Sequence, residues 1–229
     1  MALRTGPRRV VVPWLLLALF WWTPLAAERV ALDLPEGPTA RAEFRPGDPN
    51  RPAVLVLHGF LQTHNFSTVR SLTDELAFRR YTVLAPTLSF GIDRRRQSLP
   101  CDAVHNHTLE DDVREVGRWL EWLVARGHRT VVLVGHSTGS LELLAYAAER
   151  PHPAVAGVVA TSLGAIDHWD AGQDDFERAR REAAAGEPGL GSYHIAYCRG
   201  NYEAPPAAYL SYRRWDKARL LAAIDASRV

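Results

Sequence analysis

Short uninterrupted hydrophobic runs alternate with segments of helical periodicity along the chain. The runs lack the polar alternation of a half-exposed strand, so they predict strands that are buried on both faces. In chain order these runs are Ala53–Leu57, Tyr81–Ala85, Thr130–Val134 and Val155–Ala160. Apolar residues at helical spacing follow at about Phe66–Arg79, between Thr108 and Gly127, and after Gly139. This alternation predicts an α/β fold, a mostly parallel sheet with helices on both faces.

Weaker patterns mark the two edges of the predicted sheet. Arg29–Leu34 and Ala40–Phe44 flank the turn sequence Pro35-Glu36-Gly37-Pro38, which predicts an antiparallel hairpin at one edge. At the other end, no run of comparable strength follows Val155–Ala160. If the sheet ends there, it has an exposed apolar edge strand, and we expect the chain to aggregate or pair through it.

The first 27 residues have the three parts of a secretory signal peptide. Arg4, Arg8 and Arg9 form a positive start, Val10–Trp22 is an apolar run, and Leu25-Ala26-Ala27 supplies small residues for cleavage. The run is shorter than the ~20 residues that a membrane-spanning helix needs. We therefore predict an exported protein, periplasmic or extracellular. If the segment is not removed, it would associate the chain with a membrane.

The charge balance argues against one class of partner. Lysines and arginines number 27 and acidic residues 26, giving a formal net charge of +1. The chain therefore lacks the basic field that binds a nucleic-acid backbone. Because the predicted signal peptide holds three arginines and no acid, its removal leaves a mildly acidic chain.

Export also affects the interpretation of Cys101 and Cys198, the only two cysteines. An oxidising compartment permits a disulfide, and we expect the two residues to be bridged. Closing a loop of this length would stabilise the fold by about 4–5 kcal/mol on the loop-entropy model. Two buried free thiols are the alternative.

The sequence Gly135-His136-Ser137-Thr138-Gly139 carries the clearest chemical signal. It is a G-x-S-x-G motif between a buried strand and an amphipathic helix, the context in which a serine lies on a sharp turn with its Oγ exposed. The glycines leave room for a strained turn and close helix approach. The helix N-terminus offers N–H donors to a developing oxyanion. We predict that Ser137 is a nucleophile; the alternative is an inert serine in a glycine-flanked turn.

With this motif in place, residues 29 to 165 resemble the α/β-hydrolase superfamily, in particular its serine esterases and lipases. Val54–Phe60 is similar to the family's third strand and its His-Gly-x loop, Tyr81–Pro86 to strand four, and Thr130–Gly139 to strand five and the nucleophile elbow. The resemblance implies a serine hydrolase with a small acyl substrate, an acyl-enzyme intermediate and no cofactor.

The resemblance also implies roles for individual residues. The backbone N–H groups of Phe60 and Thr138 would form the oxyanion hole beside Ser137. His58, before Gly59 at a strand end, would brace the loop, and His136 would point away from the site.

After residue 165 the chain departs from the family pattern. Family members continue through a cap to two more strands, which supply the catalytic acid and histidine. Residues 166–229 instead predict a cap-like helical or irregular region, with Tyr193–Cys198 as a candidate strand that has no successor. The sequence thus predicts a hydrolase core at residues 28–165 and a fold that is incomplete at its C-terminus. A catalytically inactive or truncated hydrolase-like domain is the alternative to an active enzyme.

A serine nucleophile needs a base, and the base needs an acid that holds its tautomer. Asp167, shortly after the strand Val155–Ala160, is the first candidate for the acid, ahead of Asp170 and Asp102. Four histidines stay open as the base: His105, His107, His168 and His194. Acyl transfer to an acceptor other than water would use the same residues.

Two charged or metal-ligating clusters have simpler explanations. His105-Asn106-His107, near Asp102, resembles a metal site, but histidines at i and i+2 share a face only on a strand, and this stretch precedes a helix. We therefore expect a loop and no metal. Arg94-Arg95-Arg96 could attract a carboxylate or an anionic membrane surface, but three charges in a loop are usually solvated.

Overall fold

The computed structural model describes residues 27–35, 37–163, 172–186 and 189–227. Its main sheet has six strands in the order β1-β2-β4-β3-β5-β6. In chain order these are β1 (Glu28–Asp33), β2 (Thr39–Arg45), β3 (Ala53–Leu57), β4 (Thr82–Thr87), β5 (Val131–His136) and β6 (Val155–Thr161). The pairs β1–β2 and β2–β4 are antiparallel, and the other pairs are parallel. The predicted α/β sheet and its edge hairpin are confirmed.

Helix α1 (Ser67–Phe78) covers one face of this sheet, and α2 (Leu109–Ala125) and α3 (Thr138–Glu149) cover the other. The other described helices are α4 (Gln173–Ala185), α5 (Pro206–Arg213) and α6 (Lys217–Ala226); α4 and α5 pack on each other, and α6 packs on α3. Strand β3 shows how the two faces are filled, since all five of its residues are buried. Leu55 and Leu57 join the larger core with α2 and α3, whereas Val54 and Val56 join a smaller core with α1. Each buried aliphatic side chain contributes about 1.5–3 kcal/mol.

Helix α2 begins where its capping residues predict. The Thr108 side chain accepts a hydrogen bond from the Asp111 backbone N–H at 3.2 Å, and Asp111 Oδ2 accepts from the Thr108 N–H at 2.8 Å. This reciprocal pair satisfies two donors that an uncapped helix leaves unpaired. It places the N-terminus of α2 at the carboxyl edge of the parallel strands.

The segment between α4 and α5 corrects the sequence prediction. Two antiparallel strands lie there, β7 (Gly191–Ile195) and β8 (Cys198–Ala204), so the candidate strand at Tyr193–Cys198 does have a successor. The predicted run crosses the hairpin turn, in which Ala196 has a φ of 49°. Neither Ala196 nor Tyr197 is a typical turn residue, so the sequence carried no turn signal.

The hairpin is tied to the loop before α2. Cys101 and Cys198 are joined in a disulfide, as expected from the sequence. The Glu203 N–H also donates to the Cys101 carbonyl at 3.2 Å, and the His105 N–H donates to the Glu203 carbonyl at 2.8 Å. These bonds hold the β7–β8 hairpin over the carboxyl edge of the sheet, where the candidate site lies.

Several predictions fall outside the described residues. These include residues 1–26 of the predicted signal peptide, and Asp167, His168 and Asp170. Across the described ranges, no helix is long and apolar enough to cross a membrane. Strand β6 lies at the edge of the described sheet, with Val159 47% exposed, and pairing through this edge stays a prediction.

Candidate active site

Ser137 lies on the turn between β5 and α3. Its φ of 54° and ψ of −122° belong to a region that residues with a β-carbon rarely adopt. The turn is fixed by the Ser137 N–H, which donates to the Thr161 carbonyl at 2.9 Å, and by the Ser140 N–H, which donates to the Ser137 carbonyl at 2.9 Å. The partly exposed serine is therefore held on the strained turn that its motif predicts.

Glycine is required at two positions of the motif because neighbouring backbone atoms leave no room for a β-carbon. A β-carbon at Gly135 would lie 2.5 Å from the Ser140 Cα, and one at Gly139 would lie 2.3 Å from the His58 carbonyl oxygen. Ser140 then locks the turn, because its Oγ donates to the Gly135 carbonyl at 2.8 Å. The first turn of α3 is thus pressed against the end of β3.

The loop after β3 passes directly against the serine. A β-carbon at Gly59 would lie 3.2 Å from the Ser137 Cβ. Phe60 follows Gly59 in this loop, and Thr138 follows Ser137 as the first residue of α3. In the part of the chain that the structure describes, neither N–H donates a hydrogen bond. Two unpaired amides beside a nucleophile are what an oxyanion hole requires.

The loop after β3 is held in place by two side chains. Leu61 has a φ of 55°, a strained value for a β-carbon residue. Arg95 Nη2 donates to the Gln62 carbonyl at 2.7 Å, and the Tyr197 hydroxyl donates to the Phe60 carbonyl at 2.9 Å. Tyr197 is in the turn of the β7–β8 hairpin, so this hairpin fixes the peptide next to the predicted oxyanion amide.

His58 has the bracing role that the resemblance implies. Its ring is fully buried, and its Nε2 accepts from the Leu88 N–H at 3.1 Å and faces Arg95 Nη2 at 3.3 Å. Burial, then the Arg95 charge, lowers the pKa of His58 to about 3. The imidazole is therefore neutral and links the oxyanion loop to the segment after β4.

Arg95 corrects the expectation of a solvated arginine cluster. Its side chain is buried, and its Nε and Nη1 donate to the Leu88 and Gln97 carbonyls at 2.6 and 2.8 Å. Burial lowers the pKa of Arg95 to about 10, against the opposing effect of nearby carboxyls. The guanidinium thus remains charged at neutral pH and bridges two loops.

Three carboxyl groups are buried near Arg95, and sequence reasoning missed them. Glu115 accepts from the Ser89 N–H and Oγ at 2.9 and 2.6 Å, so it is the best placed of the three to be ionised. Asp112 accepts from the Tyr212 hydroxyl, while Glu142 Oε2 has no partner among the described residues. Burial raises the pKa of Asp112 and Glu142 well above the usual range. The sequence did contain one signal of a buried carboxyl group, because Glu142 lies among the apolar residues Leu141, Leu143 and Leu144.

Glu142→Gln is expected to stabilise the chain at neutral pH. Burial and the Asp112 carboxyl raise the pKa of Glu142 in the folded state, so folding favours its protonated form. That contribution to stability is fully present below about pH 4.3, the unfolded value, and is lost as pH rises above it. Glutamine has nearly the same shape as glutamic acid but does not titrate. We expect added stability at about pH 7.5, and little change at about pH 4, in urea unfolding.

Glu121→Gln is the control for this pH dependence. Glu121 is exposed and pairs with Arg118 on the surface of α2 at 3.0 Å, so its replacement should change stability little at either pH. An equal gain from Glu142→Gln at both pH values would contradict the assignment of a neutral buried carboxyl.

Of the four histidines proposed as the base, His168 lies outside the described residues, and the other three lie in two places. His194 is on β7, and its Nδ1 lies 2.8 Å from Asp175 Oδ2, which also accepts from the His194 N–H at 2.7 Å. His105 and His107 precede α2 and line a separate cavity. Over the described ranges, no histidine ring hydrogen-bonds to Ser137. The Asp175–His194 pair was not predicted, since nothing in the sequence relates residues on a helix and a strand.

The described side chains lack a set of ligands for a metal ion. Within the described ranges, no group of three or more histidine, cysteine, aspartate or glutamate residues could hold a metal ion. His105 and His107 lie in the loop before α2, as predicted, with ring centroids 5.9 Å apart.

Comparison with known proteins places these features in a family. A family model described as the alpha/beta hydrolase family matches residues 54–227, which include both the turn at Ser137 and the loop after β3. No curated protein sequence matches the chain significantly.

Solved structures share the architecture at low sequence identity. The alpha/beta hydrolase GrgF from Penicillium sp. sh18 superposes with a TM-score of 0.62 and 16% identity, over 87% of this chain and 77% of that one. DcsB, solved in complex with its substrate analogue, gives 0.61 and 13%, over 87% and 77%. A thioesterase domain from the curacin biosynthetic pathway gives 0.51 and 21%, over 73% and 55%. At these identities the likeness shows the fold alone.

Proposed function

This chain belongs to the alpha/beta hydrolase family, and we propose that it is a serine hydrolase acting on an ester or related acyl compound through an acyl-enzyme on Ser137. One observation carries the proposal: the strained Ser137 turn lies against a loop whose Phe60 amide, like that of Thr138, is unpaired among the described residues. A turn with no chemical role would have little reason to retain the strain.

The proposed reaction has two halves. Ser137 Oγ attacks the acyl carbonyl carbon and gives its proton to the base, while the carbonyl electron pair moves to oxygen and is held by the N–H groups of Phe60 and Thr138. The leaving alcohol or thiol departs with the proton from the base. Water then attacks the acyl-enzyme by the same route and releases the acid.

We propose His194 as a base to be tested, together with His168. If His194 Nδ1–H donates to Asp175, its Nε2 is left as the proton acceptor, and the order Ser137, Asp175, His194 matches the serine, acid, histidine order of the family. Tyr197 contacts Phe60 and is three residues from His194 in the same hairpin. Asp167 remains the acid proposed for His168.

The test is hydrolysis of p-nitrophenyl esters of increasing acyl length by the purified chain. Ser137→Ala is expected to lower kcat/KM by about 10³-fold or more. His194→Gln is compared with Asp175→Asn, and His168→Gln with Asp167→Asn. The pair in which both variants lose activity as Ser137→Ala does contains the base and its acid. A folded wild-type chain that hydrolyses none of the esters would favour the alternative, an inactive hydrolase-like domain.

We also propose that the protein acts outside the cytoplasm on a small acyl substrate. The Cys101–Cys198 disulfide supports an oxidising compartment. The proposal further depends on the predicted signal peptide, whose residues lie outside the described ranges apart from Ala27. Detection of the processed chain in the periplasm or medium, with a new N-terminus at Glu28, tests it directly.

Tyr197→Phe is expected to lower kcat about tenfold with little change in KM. The variant removes the hydroxyl that donates to the Phe60 carbonyl, which loosens the amide that stabilises the transition state rather than substrate binding. Tyr193→Phe is the matched control, since it removes a hydroxyl in the same hairpin that donates to Glu182 at 3.1 Å instead. Equal kcat losses in steady-state assays of both variants would contradict the positioning role.

A further inference from the structure

We propose that Arg95 is a positioning residue for the proposed hydrolase reaction, and that it holds the oxyanion loop, residues 58–62, in the geometry that the transition state requires. The inference rests on the proposed function, because the loop has a catalytic role only if the Phe60 amide binds an oxyanion. Arg95 acts through this loop and not on the reacting atoms. In the part of the chain that the structure describes, it contacts backbone carbonyls and two rings, and it makes no contact with Ser137.

A single nitrogen of Arg95 contacts both ends of the oxyanion loop. Its Nη2 donates to the Gln62 carbonyl at 2.7 Å and lies 3.3 Å from His58 Nε2. This ring nitrogen can accept, because His58 Nδ1 lies 2.9 Å from the Gly59 carbonyl and must carry the proton. The first and last residues of the loop are thus fixed to one point, with the Phe60 amide between them.

The rest of the guanidinium is tied to the segment after β4. Its Nε donates to the Leu88 carbonyl at 2.6 Å, and its Nη1 donates to the Gln97 carbonyl at 2.8 Å. The ring of Phe90 lies against the guanidinium, with 4.3 Å between Arg95 Cζ and the ring centroid. Because all three nitrogens are bonded and the group is planar, it is held in a single orientation.

Glu115 anchors the arginine through one peptide group. The peptide bond between Leu88 and Ser89 offers its carbonyl to Arg95 Nε at 2.6 Å and its N–H to Glu115 Oε2 at 2.9 Å. A cation at one end of a peptide dipole and a carboxylate at the other strengthen both hydrogen bonds. The Ser89 hydroxyl also donates to this carboxylate, at 2.6 Å. The anchor of the oxyanion loop therefore lies on the buried face of α2.

The burial of Arg95 is hard to explain by fold stability alone. The residue is 4% exposed, and the removal of a cation from water costs several kcal/mol. An apolar side chain of similar volume often stabilises a core as well as a buried ion pair does. Positioning explains the charge better, because Gln62 is two residues after Phe60, and a displacement of about 1 Å can lower a catalytic rate about 10²-fold.

The first test is steady-state hydrolysis of p-nitrophenyl esters by Arg95→Lys and Arg95→Met. Lysine keeps the positive charge but lacks the fork of donors, so it cannot hold the Gln62, Leu88 and Gln97 carbonyls together. We expect kcat to fall about tenfold or more in both variants, with KM changed less than about threefold, because the arginine does not bind substrate. Arg96→Lys and Arg96→Met are the matched controls. Arg96 is the exposed neighbour, so both should keep the wild-type kcat.

Amide hydrogen exchange measured by NMR tests the loop without a substrate. The Gln62 N–H donates to the Gly59 carbonyl at 3.1 Å, and the Leu99 N–H donates to the Leu61 carbonyl at 2.9 Å, so both amides report on the order of the loop. In Arg95→Lys they are expected to exchange at least about tenfold faster relative to the amides of β5. If the wild-type chain is inactive, the proposed function fails, and this exchange still decides whether Arg95 holds the loop.

The proposal is overturned if Arg95→Lys keeps the wild-type kcat, or if KM rises while kcat is unchanged. It is also overturned if the Gln62 and Leu99 amides stay as protected in Arg95→Lys as in the wild type. An Arg95→Lys chain that does not fold would show that the arginine stabilises the whole chain, and this would overturn the positioning role as well. Losses of kcat in the Arg96 variants equal to those in the Arg95 variants would have the same meaning.

Discussion

Ser137→Gly is expected to abolish covalent reactivity and to make the chain more stable. The serine has a φ of 54° and a ψ of −122°, and such backbone strain costs about 1–3 kcal/mol for a residue with a β-carbon. Glycine adopts this conformation freely but loses more chain entropy on folding, about 0.5–1 kcal/mol. We therefore expect a net gain of about 1 kcal/mol in urea unfolding, together with complete loss of ester hydrolysis.

Ser137→Ala separates strain from reactivity. Alanine removes the nucleophile but keeps the β-carbon, so it should lose activity without the gain in stability. If Ser137→Gly is no more stable than Ser137→Ala, the strain is not located at this residue, and the argument that the turn is retained for chemistry fails.

Gly139→Ala is expected to prevent stable folding. Its β-carbon would lie 2.3 Å from the His58 carbonyl oxygen and 2.8 Å from that of Leu57. Both are backbone atoms at the end of β3, which is buried and paired on both sides, so neither can yield by a change of rotamer. We expect a loss of about 3 kcal/mol or more, a large part of the usual 5–15 kcal/mol of a domain.

Gly189→Ala is the matched control. Gly189 is exposed, and a β-carbon there would meet nothing within 4 Å, so its replacement should change stability by less than about 0.5 kcal/mol. Soluble expression and urea midpoints of the two variants provide the comparison. A Gly139→Ala chain as stable as Gly189→Ala would contradict the close approach of α3 to β3.

The core of the fold could be predicted because its signals are local. The run Ala53–Leu57 has no polar residue and forms a strand that is buried on both faces. Thr108 and Asp111 are three residues apart and form the cap of α2. The elbow follows from glycines whose spacing determines both the turn and the helix approach. In each case the residues that specify the feature are close in sequence.

The features that the sequence did not predict depend on contacts between residues that are far apart in the chain. Arg95 is buried because carbonyls from two loops surround it, including that of Gln62, 33 residues away. Strands β7 and β8 have no apolar run, and they are held by the disulfide and by bonds to the loop before α2. The partnership of Asp175 with His194 likewise joins a helix to a strand. Hydrophobic pattern alone contains none of this information.

The most direct measurement is fluorophosphonate labelling of the purified, folded chain, with the labelled peptide identified by mass spectrometry. The probe reacts only with a serine whose proton is taken by a base. The account predicts one label per chain, on Ser137, and none in Ser137→Ala. A folded wild-type chain that stays unlabelled, or a label on any other residue, would contradict the claim that Ser137 is an activated nucleophile.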